Sequence, residues 1–217
     1  IYFTKSQYVR RHGNPGGWFS DKELTKAVSE VKLDRDTTVY AKWIEKTDLG
    51  FTDVADNSPF RAAIGWAVKE GITNGTSATT FSPGNTCTTA QILTFLWRAN
   101  GSPNSNAACP ASDVAETSPF YKALCWANEK DLMTKGSGST PCTRAAAVTY
   151  LWKLAGSPKM SVNSSFTDVP ASADFAQAVA WAVEQGVTNG VSASEFAPDS
   201  TCTRGQIVTF LYRNLLD

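Results

Sequence analysis

Three stretches of the chain place apolar residues on one face at helical spacing. In the first, Phe60, Ala63, Ile64, Ala67 and Val68 recur at i, i+3, i+4, i+7 and i+8. Phe175, Ala178, Val179, Ala182 and Val183 repeat the stripe, and Phe120, Ala123, Leu124 and Ala127 give a shorter version. Ser58-Pro59 predicts the first helix start, with an N-cap serine and a proline in the first turn. Gly71 and Gly186 predict left-handed stops, whereas Asp131 stands where the middle stripe should have its glycine. A second apolar run follows each stripe: Ile92-Leu93 with Phe95-Leu96, Val148 with Tyr150-Leu151, and Ile207-Val208 with Phe210-Leu211. Each run starts after a Cys-Thr pair, and Thr88 with Gln91 and Thr203 with Gln206 have capping-box spacing.

These stretches belong to blocks that restate one pattern. Phe51-Thr-Asp-Val54 and Phe166-Thr-Asp-Val169 open the outer blocks, and Ser112-Asp-Val114 opens a weaker middle one. Asp53, Asp113 and Asp168 are therefore spaced 60 and 55 residues apart. A period of this size predicts helix-loop-helix units sharing one core, because one unit cannot bury its apolar face alone. Between the helices the outer blocks carry Gly75 with Phe81-Ser82-Pro83 and Gly190 with Phe196-Ala197-Pro198. The interval from aspartate to cysteine is 34, 29 and 34 residues, so the middle loop is five residues short and lacks the Phe-x-Pro hook.

Residues 1–49 have another texture. Tyr2-Phe3-Thr4, Glu30-Val31-Lys32-Leu33 and Thr37 to Trp43 read as strands, and Asn14-Pro15-Gly16-Gly17 as a turn. Gly17-Trp18-Phe19-Ser20-Asp21 followed by Thr38 to Trp43 resembles the second half of the Listeria–Bacteroides (internalin B-type) repeat, over about residues 16–43. The resemblance implies a small β-grasp-like stalk or spacer at residues 1–45. The abrupt start at Ile1 reads as mid-domain, so a fragment of a longer protein is expected.

The sequence of Phe-x-Asp-Val, an apolar helix, Gly-Ile-Thr-x-Gly, Phe-x-Pro and Cys-Thr-Arg-x-Gln resembles the S-layer homology domain, in the variant common in surface proteins of Gram-positive gut bacteria. The resemblance covers residues 50–103, 109–158 and 164–217 as three repeats. It implies a mainly α, pseudo-threefold assembly, a monomer built like a trimer. The implied function is non-enzymatic: holding an exported protein at the cell surface by binding a secondary cell-wall polysaccharide in grooves between repeats. The alternative is a protein-interaction or adhesion module that has lost polymer binding.

Binding in that family lies near a Thr-Arg-Ala-Glu motif, which maps onto Thr88 to Gln91, Thr143 to Ala146 and Thr203 to Gln206. Arg144 and Arg204 fit; Thr89 does not, and the glutamate is absent throughout. A guanidinium beside free N–H groups at a helix start can grip an anionic sugar. The same arginines can instead pair with nearby aspartates at the seams. On the ligand reading, an arginine restored at position 89 strengthens binding if the groove survives. Asp53, Asp113 and Asp168 open each repeat and either bind the polysaccharide or form turns or helix caps paired with the motif arginine; both roles put them beside the groove. Trp66 lies roughly 130° from the centre of its stripe. It and its counterparts Trp126 and Trp181 either pack on a neighbouring repeat or offer a platform to a pyranose face.

Net charge is zero, which gives no footprint for nucleic acid. No apolar run is long enough to span a bilayer, so no membrane insertion is expected. Neither a nucleophile elbow nor a glycine-rich phosphate loop occurs, and no enzyme is expected. Cys87, Cys142 and Cys202 hold one place in each block and read as small buried hydrophobes. Cys109 and Cys125 occur only in the middle block and form a candidate disulfide. Without Cys-x-x-Cys, and with His12 as the one histidine, no zinc site or other cofactor is expected.

Overall fold

The structure is a computed structural model that describes residues 15–20, 22, 26–28, 40–43, 49–162 and 165–215. The chain divides into two compact units, Ile1–Asp48 and Leu49–Asp217.

In the first unit, β1 (Pro15–Phe19) is central, with β2 (Ala27–Val28) and β3 (Tyr40–Trp43) antiparallel on either side. Of the turn expected at Asn14 to Gly17, Pro15 to Gly17 is instead the start of β1, and Asn14 lies outside the described residues. The register shifts between Pro15 and Gly17, a bulge that accommodates a proline at the strand end. The strands expected at Tyr2–Thr4 and Glu30–Leu33, and His12, lie outside the described residues.

The second unit is helical. Its elements are α1 (Arg61–Lys69), α2 (Thr89–Ala99), α3 (Tyr121–Glu129), α4 (Arg144–Leu154), α5 (Ala176–Glu184) and α6 (Arg204–Leu215). Helix α1 begins later than Ser58-Pro59 suggests. Ser58 caps a turn, its Oγ accepting from Phe60 N at 3.3 Å, and the helix proper starts at Arg61. Gly71 and Gly186 take the left-handed conformation, and so does Asp131 at φ 54°. Aspartate is one of the few side chains that tolerate this region, so α3 stops without a glycine.

The first helix of a block does not pack mainly against its own second helix. Instead α2 packs on α3, α4 on α5, and α6 returns to α1. Near the Cys-Thr pairs the backbone closes a ring: Cys87 N–H donates to the Cys202 carbonyl at 2.9 Å, Cys202 N–H to Cys142 at 2.8 Å, and Cys142 N–H to Cys87 at 2.8 Å. All three cysteines are buried in one continuous apolar core with Ile64, Leu93, Leu124, Val148, Val179 and Ile207. Phe60, Phe120 and Phe175 are half-buried and pack against that core rather than filling it.

Candidate functional site

The second helices start in a polar setting that the sequence reads correctly at its caps. Thr88 and Thr203 form reciprocal boxes with Gln91 and Gln206. Thr143 caps Ala146 N alone. The next two amides of each helix are taken by the following block's loop. Thr89 and Ala90 N–H donate to Thr140 and Gly138, Arg144 and Ala145 to Ser200 and Pro198, Arg204 and Gly205 to Asn85 and Pro83. The helix N-termini therefore offer an anion none of these first amides, because a neighbouring block satisfies them.

Arg144 and Arg204 lie inside the same seams, each 4 % exposed. Arg204 Nε donates to the Phe81 carbonyl at 3.0 Å, and its guanidinium lies 4.9 Å from the Phe81 ring centroid and 5.4 Å from that of Phe95. Arg144 donates to Phe196 O at 2.7 Å and lies 4.9 Å from the Phe196 ring and 5.5 Å from Phe210. Its Nη2 also reaches Thr188 Oγ1 at 3.4 Å. Burial lowers both guanidinium pKa values from the ordinary arginine range.

The aspartates fix the loops on which the arginines rest. Asp53 accepts from Phe81 N at 2.8 Å and Ser82 N at 2.6 Å; Asp168 accepts from Phe196 N at 2.9 Å and Ala197 N at 2.7 Å. Ser82 and Ala197 have φ of 57° and 58°, a strained choice for residues with a Cβ. Paired N–H bonds to one carboxylate hold that conformation in place. Burial opposes ionisation of Asp168, yet the Phe196 and Ala197 amides keep its carboxyl below the usual range.

The middle block is built differently. Ala111 replaces the opening phenylalanine, the loop has no Phe-x-Pro hook, and Thr89 replaces the arginine that would meet it. The aromatic pairs Phe51–Phe81 and Phe166–Phe196, at 5.7 and 5.9 Å, have no counterpart here. Asp113 instead binds Ser137 Oγ at 2.6 Å, Gly138 N at 2.8 Å and Ser139 Oγ at 2.8 Å. The Ser137 hydroxyl, then the Gly138 amide, hold its carboxyl well below the ordinary carboxylate range. Where the other seams have phenylalanine, Tyr150 stands, and Thr89 Oγ1 donates to the Thr140 carbonyl at 3.1 Å.

Of the three tryptophans, Trp126 and Trp181 are 2 % and 5 % exposed, while Trp66 is half-buried with its ring edge-on to Tyr212 at 5.6 Å. Trp126 lies along an open cleft of about 410 Å³ formed with Asn100, Pro103, Lys130, Lys153 and Leu154. Here the C-terminal ends of α2, α3 and α4 converge. Lys153 Nζ donates to the Asp131 carbonyl at 2.6 Å, and Lys130 meets Glu129 at 3.6 Å. Two lysines thus line one concave surface, Lys153 held by a carbonyl just beyond the end of α3. Sequence reasoning missed both lysines. Each sits at the C-terminal end of a helix, where a basic residue reads as ordinary dipole compensation.

Residues 50–92 and 165–208 match the S-layer homology domain. The two segments cover the opening motif, first helix, hook and second-helix start of the first and third blocks. S-layer homology domains are cell-wall anchoring modules associated with the cell surface, and they are not a catalytic family. No curated protein matches the chain. Among the described residues no helix is long and apolar enough to cross a membrane, and no cluster of His, Cys, Asp and Glu suits a metal ion.

Proposed function

We propose that the second unit is a closed array of three S-layer homology repeats, at residues 50–103, 109–158 and 164–217, that anchors an exported protein to a secondary cell-wall polysaccharide. The middle block carries the same capping threonine, ring cysteine and loop-binding aspartate as the two matched segments, which supports the third repeat. Residues 1–45 act as a β-grasp-like spacer of the Listeria–Bacteroides type. The observation that carries polymer binding is the cleft beside Trp126. It is concave and open, and Lys130, Lys153 and Asn100 line it together. An acidic substituent on a sugar would meet charge-assisted donors there.

In this reading Arg144, Arg204, Asp53, Asp113 and Asp168 serve binding by holding the seams and loops that shape the grooves. Trp126 and Trp181 form groove walls, and Trp66 is the tryptophan with face to spare for a sugar. The polymer is anionic, the anchored protein is extracellular, and the array works as a monomer. The test is a pull-down of the whole chain with purified cell walls, before and after chemical removal of the secondary polymer. Retention lost on removal supports the reading; retention that persists overturns it in favour of a protein or peptidoglycan partner.

A further inference from the structure

The middle block holds two cysteines for which the anchoring function has no use, and the fold brings them together. Cys109 stands four residues before Asp113 and Cys125 twelve residues after it. The first block shows what those two places do. There Leu49 precedes Asp53 by four residues, and Gly65 follows it by twelve. A Cβ built on Gly65 would lie 3.1 Å from Leu49 Cδ2, so the side chain of the entering segment rests on that point of the helix. In the middle block both places carry sulfur.

Local bonds brace the pair. Ser105 Oγ donates to the Cys125 carbonyl at 3.2 Å, and Asn128 Nδ2 donates to the Ala108 carbonyl at 2.9 Å. These bonds tie residues 105–108 along α3, and Cys109 Sγ itself donates to the Ala111 carbonyl at 3.7 Å. Cys109 is half-buried and Cys125 is 5 % exposed, so reagents reach one sulfur more readily than the other. Both are free thiols here.

We propose that Cys109 and Cys125 are a modification site: they join in an intramolecular disulfide when the protein meets a disulfide oxidant. The Cys109 thiolate attacks a sulfur of the oxidant and expels one thiol, leaving a mixed disulfide. The Cys125 thiolate then attacks Cys109 Sγ and expels the second thiol. Two protein thiols lose two electrons and two protons, and the oxidant's disulfide is reduced to two thiols. The bond falls in the block without an arginine–phenylalanine contact at its seam. It fastens the entering segment to α3, the helix that α2 docks against. The inference does not depend on polymer binding.

The test uses the full chain and glutathione disulfide as the probe. Protein equilibrated with it is acid-quenched, unfolded, alkylated and weighed intact. Expected are three alkyl groups on the five cysteines, a linked peptide joining Cys109 to Cys125, and five alkyl groups after reduction. The oxidised form should melt roughly 6–12 °C above the reduced form, as closure of a loop of this length implies. In Cys109→Ser that difference should vanish. Five free thiols, a stable glutathione adduct at Cys109, or a linked peptide from another pair would overturn the proposal. The mass of the unaltered chain decides the matter even where the variant fails to fold.

Discussion

The guanidinium of Arg204 lies 4.9 Å from the ring centroid of Phe81, and its Nε donates to that residue's own carbonyl at 3.0 Å. One side chain thus holds another residue by ring and by backbone, across 123 positions of sequence. Arg144 does the same to Phe196.

Arg204→Ala is expected to destabilise the helical unit by about 2–4 kcal/mol, because it strands a buried carbonyl and removes a buried ring contact. Arg204→Lys should rescue little, since an ammonium cannot stack and bond in one plane. Urea denaturation of the three proteins checks this. A variant as stable as the parent would make Arg204 a ligand in waiting rather than a strut.

Lys130 is exposed at the cleft, so its replacement should leave folding intact. Lys130→Glu is expected to weaken binding of an isolated anionic wall polymer about ten-fold, and more at low salt than at high salt. Titration at two ionic strengths, with a melting curve alongside, measures both. Unchanged affinity at low salt would remove the cleft from the binding surface.

Asp113 carries a pH signature. Its folded carboxyl lies below the ordinary value of 3.8, so its contribution to stability is complete above that value and is lost as pH falls through the lowered one. Asp113→Asn should therefore destabilise the protein at pH 7, with a difference from the parent that shrinks progressively in acid. Denaturation midpoints at a series of pH values follow the sign. A difference that grows in acid would refute the assignment.

The ring cysteines should be inert while the protein is folded. Burial pushes the Cys87 thiol up to about 12 and that of Cys202 to about 11. Native alkylation at pH 8 is expected to label Cys109 first and to leave Cys87, Cys142 and Cys202 untouched until denaturant is added. Peptide mapping of the labelled protein reads this directly.

Much of this fold was legible in the sequence because its signals are local. Thr88 with Gln91 and Gly71 each act within one or two turns and do what their spacing predicts; the stripes do so at their centres, where Ile64, Leu124 and Val179 are buried, while Val183 at the end of the third is exposed. The seams were less legible. An arginine at a helix start looks like an anion receptor until the acceptors of the neighbouring N–H groups are known, and those carbonyls lie in another block. Position 89 shows the difference. Read alone, threonine is a lost ligand. In the structure its Oγ1 donates to the Thr140 carbonyl, and the loop it meets lacks the hook phenylalanine whose carbonyl and ring hold the guanidinium in the other seams. Thr89→Arg is expected to lower stability rather than strengthen binding, and a melting curve decides it. Gly205 makes a similar point in reverse. A Cβ there would come within 2.8 Å of the Phe60 ring, a contact that no reading of the 204–215 helix alone would reveal.

The ring of cysteine amides bears on how such an array can change. An open solenoid can gain or lose a unit at either end, because its end units each have one free face. Here α6 returns to α1 and Cys87 bonds back to Cys202, so the array has no end unit. Deleting any block would leave two unmatched faces at once, and inserting a fourth would break the triangle. The copy number is therefore fixed by geometry, and a larger surface of this kind must come from adding a whole second triangle elsewhere in a chain.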